Sequence, residues 1–72
     1  MTKVEFNSNG KEVGSLLVPH QEAMDILQMV KSVDDFLCNE ISYSYAESYA
    51  TVAMNKVDLH VLTIIVHEVK DN

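Results

Sequence analysis

Residues 41 to 70 constrain the fold more than any other segment, because they read as one long two-stranded ribbon that is apolar on both faces. Ile41-Ser42-Tyr43-Ser44-Tyr45 alternates at the period of a strand, and Val57 to Val69 is rich in branched residues that need an antiparallel neighbour. A two-residue turn at Asn55-Lys56 sets the pairing. Counted outward, it places Ala50 opposite Val61, Ser48 opposite Thr63, Ala46 opposite Ile65 and Ser44 opposite His67. Those residues are small on one strand and mostly branched on the other, a surface suited to a closely packed helix. The other face pairs Thr51 with His60, Tyr49 with Leu62, Glu47 with Ile64, Tyr45 with Val66 and Tyr43 with Glu68. One helix covers one face, so the second needs a partner. A competing reading makes residues 45–54 a second helix, since Tyr45, Tyr49 and Val52 or Ala53 also fit a helical stripe.

The first half of the chain supplies a hairpin and a helix. Asn9-Gly10 offers the two positive-φ residues of a type I′ turn, pairing Ser8 with Lys11, Phe6 with Val13, Val4 with Ser15 and Thr2 with Leu17. Gly14 then lies opposite Glu5, where a missing side chain permits a bulge or a close neighbour. Pro19 ends the hairpin and suits a first helical turn. Ala23, Ile26, Leu27, Val30 and Leu37 recur at helical spacing, with Met29, Val33 and Phe36 widening the stripe, so a helix over 20–38 is expected. Asp34 falls inside that stripe, and Ser32 with Asp35 resembles a weak capping box, marking a place for a break or kink.

The expected fold is therefore a single α+β domain over 1–72, with a hairpin at 2–18, a helix at 20–38 and a hairpin at 41–70. In this reading the two hairpins form a four-stranded antiparallel sheet with one helix packed on it, in the order β-β-α-β-β. A chain of 72 residues is near the size where a single core is marginal, so support from another subunit is a fair expectation. Cys38 is the only cysteine, which closes the disulfide route and fits a reduced thiol in a cytoplasmic protein. The N-terminal residues alternate polar and apolar, unlike a signal peptide, and Ile64-Ile65-Val66 is far too short to span a bilayer.

Charge excludes several function classes. The net charge is −6, and all five basic residues are lysines. Direct nucleic-acid binding and anionic membranes are disfavoured, because both draw affinity from basic side chains. Glu22, Asp25 and Asp35 lie on the helix's outward side and form a candidate face for a basic partner; an ordinary solvated face explains the same residues.

No catalytic or metal motif stands out. Asp58 and His60 share a strand face, with Thr51 expected opposite His60, but no glycine-flanked nucleophile turn accompanies them. His20, Cys38, His60 and His67 lack metal-ligand spacing, and no phosphate-cradling glycine loop exists. No cofactor is expected. What remains is the face of Tyr43, Tyr45, Tyr49, Leu62, Ile64 and Val66, whose composition is that of a protein interface. It fits a contact with a second copy of the chain, an internal core covered by the N-terminal hairpin, or a contact with another protein or ligand. The sequence thus points to a non-enzymatic, acidic interaction domain, homodimeric, acting as an inhibitor or accessory factor by occupying a partner protein's surface. The alternative is a small-molecule-binding module with a tyrosine-lined pocket at a subunit interface and His60 as its polar group.

Overall fold

The computed structural model describes residues 1–52 and 60–69. Its elements are β1 (Thr2–Ser8), β2 (Lys11–Val18), α1 (His20–Ser32), β3 (Phe36–Cys38), β4 (Ile41–Val52) and β5 (His60–Glu68). The expected Asn55-Lys56 turn and Asp58 lie outside the described residues.

The four-stranded antiparallel sheet is overturned. Five strands form one mixed sheet in the order β2-β1-β5-β4-β3, and β1 runs parallel to β5. The chain is still α+β, in the order β-β-α-β-β-β. The parallel pair follows from the helix, which carries the chain from the end of β2 to the other end of the sheet. There β4 starts back antiparallel to β5, and β5 returns in the direction of β1. Composition explains why β5 is central. Its Val61-Leu62-Thr63-Ile64-Ile65-Val66 run is apolar on both faces, as a strand with neighbours on both sides should be.

The helix stops at Ser32 rather than running to Cys38. Val33 turns extended at φ −106° and ψ 157°, and the Ser32 hydroxyl donates to the Met29 carbonyl 2.9 Å away. A helix continued past Ser32 would carry Asp34 in its apolar stripe, whereas the extended chain leaves Asp34 exposed and makes a strand of Phe36–Cys38. Phe36 then packs on Phe6 and Tyr43, with ring centroids 5.7 and 6.4 Å away. Leu37, expected in the buried stripe, is 71% exposed.

Each long antiparallel pair carries one bulge. The Asn9-Gly10 turn forms as expected, with φ of 54° and 77°, and Ser8 opposes Lys11. Past Val13 the register slips, so Phe6 opposes Gly14 and Val4 opposes Leu16. In the ribbon, Tyr43, Ser44 and Tyr45 oppose Glu68, His67 and Val66 as counted, but Glu47 opposes Ile65 and Ala46 is the extra residue. Residues 45–52 are strand, and the competing helix over 45–54 is excluded across its described part.

The inner face of the sheet and α1 enclose one core, built from Val4, Phe6, Ala23, Val30, Tyr43, Leu62, Ile64 and Val66. The sheet curls until its two edges approach. Asn39 Nδ2 on the turn after β3 donates to the Val13 carbonyl of β2 at 2.7 Å, and Cys38 Sγ lies 3.8 Å from the same oxygen. Among the described residues, no helix is long and apolar enough to cross a membrane.

Candidate functional site

The bulge at Ala46 divides the expected tyrosine face. Before it, Tyr43 and Tyr45 share the side of Val66; after it, Tyr49 opposes Thr63 and faces away. Tyr43, Leu62, Ile64 and Val66 are buried in the chain's own core, together with Val4 and Phe6 of β1 and Ala23 and Val30 of α1. They are not a free surface. Tyr45 is half-buried and its hydroxyl bonds Ser48 Oγ at 3.0 Å. Tyr49 alone among the three points outward, at 55% exposure. The helix therefore covers the face assigned to the partner, and the face assigned to the helix is the outer one over Val61, Thr63 and Ile65.

The acidic residues Glu22, Asp25 and Asp35 are all exposed, and Asp25 accepts a hydrogen bond from Gln21 at 3.2 Å. Of the expected Asp58, His60 and Thr51 grouping, Asp58 lies outside the described residues, and Thr51 and His60 are not paired with each other. Thr51 opposes Val61, while His60 opposes Val52 and its ring packs on that of His20 at 5.6 Å. His20 Nδ1 lies 3.1 Å from Oγ1 of the buried Thr2. Among the described residues, no three His, Cys, Asp or Glu side chains are placed to hold a metal.

Two other features draw more weight. The first is an edge. β4 has twelve residues, but β3 pairs only with Ile41, Ser42 and Tyr43. From Ser44 to Val52, β4 has a described strand on one side only. Val69 N–H donates to Ser42 O and His60 N–H to Met1 O, so odd residues of β5 face β4 and even ones face β1. Past the bulge, Glu47, Tyr49 and Thr51 bond toward β5, which turns the backbone groups of Ser48, Ala50 and Val52 toward the open edge. This segment contains no lysine, arginine or proline and one charge, Glu47.

The second feature is a cavity of about 460 Å³ at the end of the sheet where the β1–β2 turn meets the ends of β4 and β5. Ser8, Lys11, Tyr43 and Glu68 line it. All of these lining residues belong to one chain. Burial, then the nearby carboxylate of Glu68, then Cys38, push the Tyr43 phenol above its ordinary value of 10.0. It therefore stays a protonated hydrogen-bond donor at neutral pH. Sequence reasoning paired Ser8 with Lys11 and Tyr43 with Glu68, but did not bring the two pairs together. Comparison with protein-family models, curated proteins and solved structures finds no match.

Proposed function

We propose that this chain is a non-enzymatic protein-interaction domain that works in the cytoplasm as a homodimer, joined through the open edge of β4, and acts by occupying a partner protein's surface. The observation that carries the reading is the nine-residue stretch of β4 that has a strand on only one side among the described residues. An unpaired edge is a template for another strand, and proteins that stay monomeric blunt it with lysine, proline or a covering segment. Here only the Ala46 bulge and Glu47 interrupt it. A second copy is the occupant of choice because an antiparallel β4–β4 pair satisfies the same backbone groups on both chains by symmetry. It also sets Tyr49, exposed on the outer face, beside its own symmetry mate. The small core of a single chain gains support in the process.

Other features support the rest of the reading. The half-buried, unpaired thiol of Cys38 suits a reducing compartment. A net charge of −6 on a chain without arginine disfavours nucleic acid and anionic lipid as direct partners and leaves the exposed carboxylates of α1 to meet a basic protein surface. The separation of His60 from Thr51 supports a role without catalysis.

Sedimentation velocity tests the dimer. The native chain is expected to sediment as a dimer at micromolar concentration, and added salt should strengthen association by screening repulsion between two acidic chains. Ala50→Pro removes an N–H that points to the open edge and spares the β4–β5 ladder, so it should give a folded monomer. Leu17→Lys, on the far strand β2, should remain a dimer. A native chain that is monomeric up to ~1 mM, the weak end of specific association, or an Ala50→Pro variant that still dimerises, would overturn the reading.

A further inference from the structure

The cavity at the end of the sheet carries chemistry that the interaction reading does not use. Its side chains reach it from two hairpins. The β1–β2 turn supplies Ser8 and Lys11, which oppose each other, and the β4–β5 pair supplies Tyr43 and Glu68, which also oppose each other. Because β1 lies parallel on β5 with Asn7 beside Ile65, both pairs arrive at the same level on the inner face. The cavity is thus the open mouth of a nearly closed sheet, a common location for ligand sites, and its volume is in the range of small-molecule pockets.

The lining is not that of a packing defect. Tyr43 is only 4% exposed and Ser8 only 8%, yet neither hydroxyl has a hydrogen-bond partner among the described residues. No side-chain oxygen or nitrogen among the described residues is buried without a partner, so these two hydroxyls open into the cavity, where a ligand can bond them. At the rim stand one ammonium, Lys11, and one carboxylate, Glu68, both exposed and neither ion-paired among the described residues. The elsewhere-paired lysine of this hairpin is Lys3, held by Glu5 at 3.0 Å.

We propose that this mouth binds a small zwitterion of amino-acid size, its carboxylate taken by Lys11 and the Tyr43 hydroxyl and its ammonium by Glu68, with Ser8 as a further hydrogen-bonding group. The charges select the class. A simple anion meets Glu68 and the chain's overall negative charge; a simple cation meets Lys11; an apolar molecule leaves both hydroxyls unsatisfied. A molecule carrying both charges satisfies all four groups. Val13 offers the side chain of such a ligand an apolar contact.

The test uses the full chain, labelled with nitrogen-15, titrated with the standard free L-amino acids one at a time, and with acetate and methylammonium as single-charge controls. At least one amino acid should shift the amide signals of Ser8, Lys11, Tyr43 and Glu68 saturably, and both controls should bind at least about tenfold more weakly, as each lacks one charged contact. Lys11→Gln and Glu68→Gln, both at exposed positions, should each weaken binding about tenfold while leaving the remaining spectrum unchanged; Lys31→Gln on α1 should not. Saturable binding by none of the amino acids up to ~10 mM, equal binding of acetate or methylammonium, or undiminished affinity in both cavity variants would overturn the proposal. Dimerisation is read separately by sedimentation, so the two proposals fail independently.

Discussion

Gly14→Ala tests whether the two edges of the sheet close on each other. A Cβ built at Gly14 falls 2.7 Å from Cys38 Sγ and 3.8 Å from Asn39 Nδ2. Gly14 is not at positive φ, so the backbone itself accepts alanine, and in a strand that exchange alone should stabilise by about 0.5–1 kcal/mol. The contact decides the sign. Ordinary carbon contacts lie near 3.5–4.0 Å, so the thiol must move by about 1 Å, and overpacking of this kind costs about 1–3 kcal/mol. The net loss should be about 1 kcal/mol, or about 4–8 °C in melting temperature for a domain of this size. Cys38→Ala alone removes a half-buried sulfur and should cost a similar amount. In the double variant the new methyl enters the space the sulfur left, so the two losses should not add; a coupling of about 1 kcal/mol in the rescuing direction is expected. Gly10→Ala is the contrast. Gly10 sits at φ +77° with open space around its Cβ position, so its loss is backbone strain of about 1 kcal/mol that Cys38→Ala cannot relieve. Urea unfolding followed by circular dichroism measures all four. A neutral or stabilising Gly14→Ala, or strict additivity with Cys38→Ala, would refute the closure.

Alkaline pH should unfold the chain partly through two raised groups. The Tyr43 phenol is raised above 10.0, and Lys3 above 10.5 chiefly by its hydrogen bond to Glu5. Both hold their protons more tightly when folded, so their contribution is intact below those values and is lost as pH rises through the raised ones. Urea midpoints between about pH 8 and about pH 11 should fall less steeply in Tyr43→Phe; an unchanged slope would remove Tyr43 from the account. Deleting Ala46 should be tolerated, because Tyr45 would keep Val66 and Glu47 would keep Ile65 in an unbulged ladder. A loss under about 1 kcal/mol in thermal unfolding is expected, whereas global unfolding of the deletion variant would contradict the bulge.

Several parts of this fold were legible along the chain because they depend on neighbours in sequence. Asn9-Gly10 demands positive φ twice, and the turn is there. Pro19 opens a helix whose Ala23 N–H bonds the Pro19 carbonyl at 3.1 Å. Strand alternation at Tyr43 and Tyr45 gave the right partners, Glu68 and Val66. The errors begin at Val13 and Ala46, where one inserted residue reverses every face beyond it; nothing in the local composition of Glu12-Val13-Gly14 or Tyr45-Ala46-Glu47 separates a bulge from a regular pair. The slip at Ala46 turned Tyr49 away from Tyr43 and Tyr45, while Leu62, Ile64 and Val66 kept their shared face and entered the core because α1 packs on that face. Asp34, by contrast, marked the place of a break or kink, although the expected helix runs on to Cys38 and the observed one ends at Ser32.

The sequence by itself determined the pairs inside each hairpin near its reliable anchor, the helical stripe of Ala23, Ile26, Leu27 and Val30, and the need for β5 to be covered on two sides. These are short-range matters of turn geometry and periodicity. Only the tertiary structure decided how the hairpins dock: β1 against β5 in parallel, rather than against β4, because the apolar strand gains most from the centre of the sheet. That docking brings Ser8 and Lys11 level with Tyr43 and Glu68, and leaves the edge of β4 from Ser44 to Val52 without a second strand among the described residues. Both candidate surfaces of this protein therefore arise from a long-range parallel pairing, reached by a crossover through α1, that no local pattern encodes.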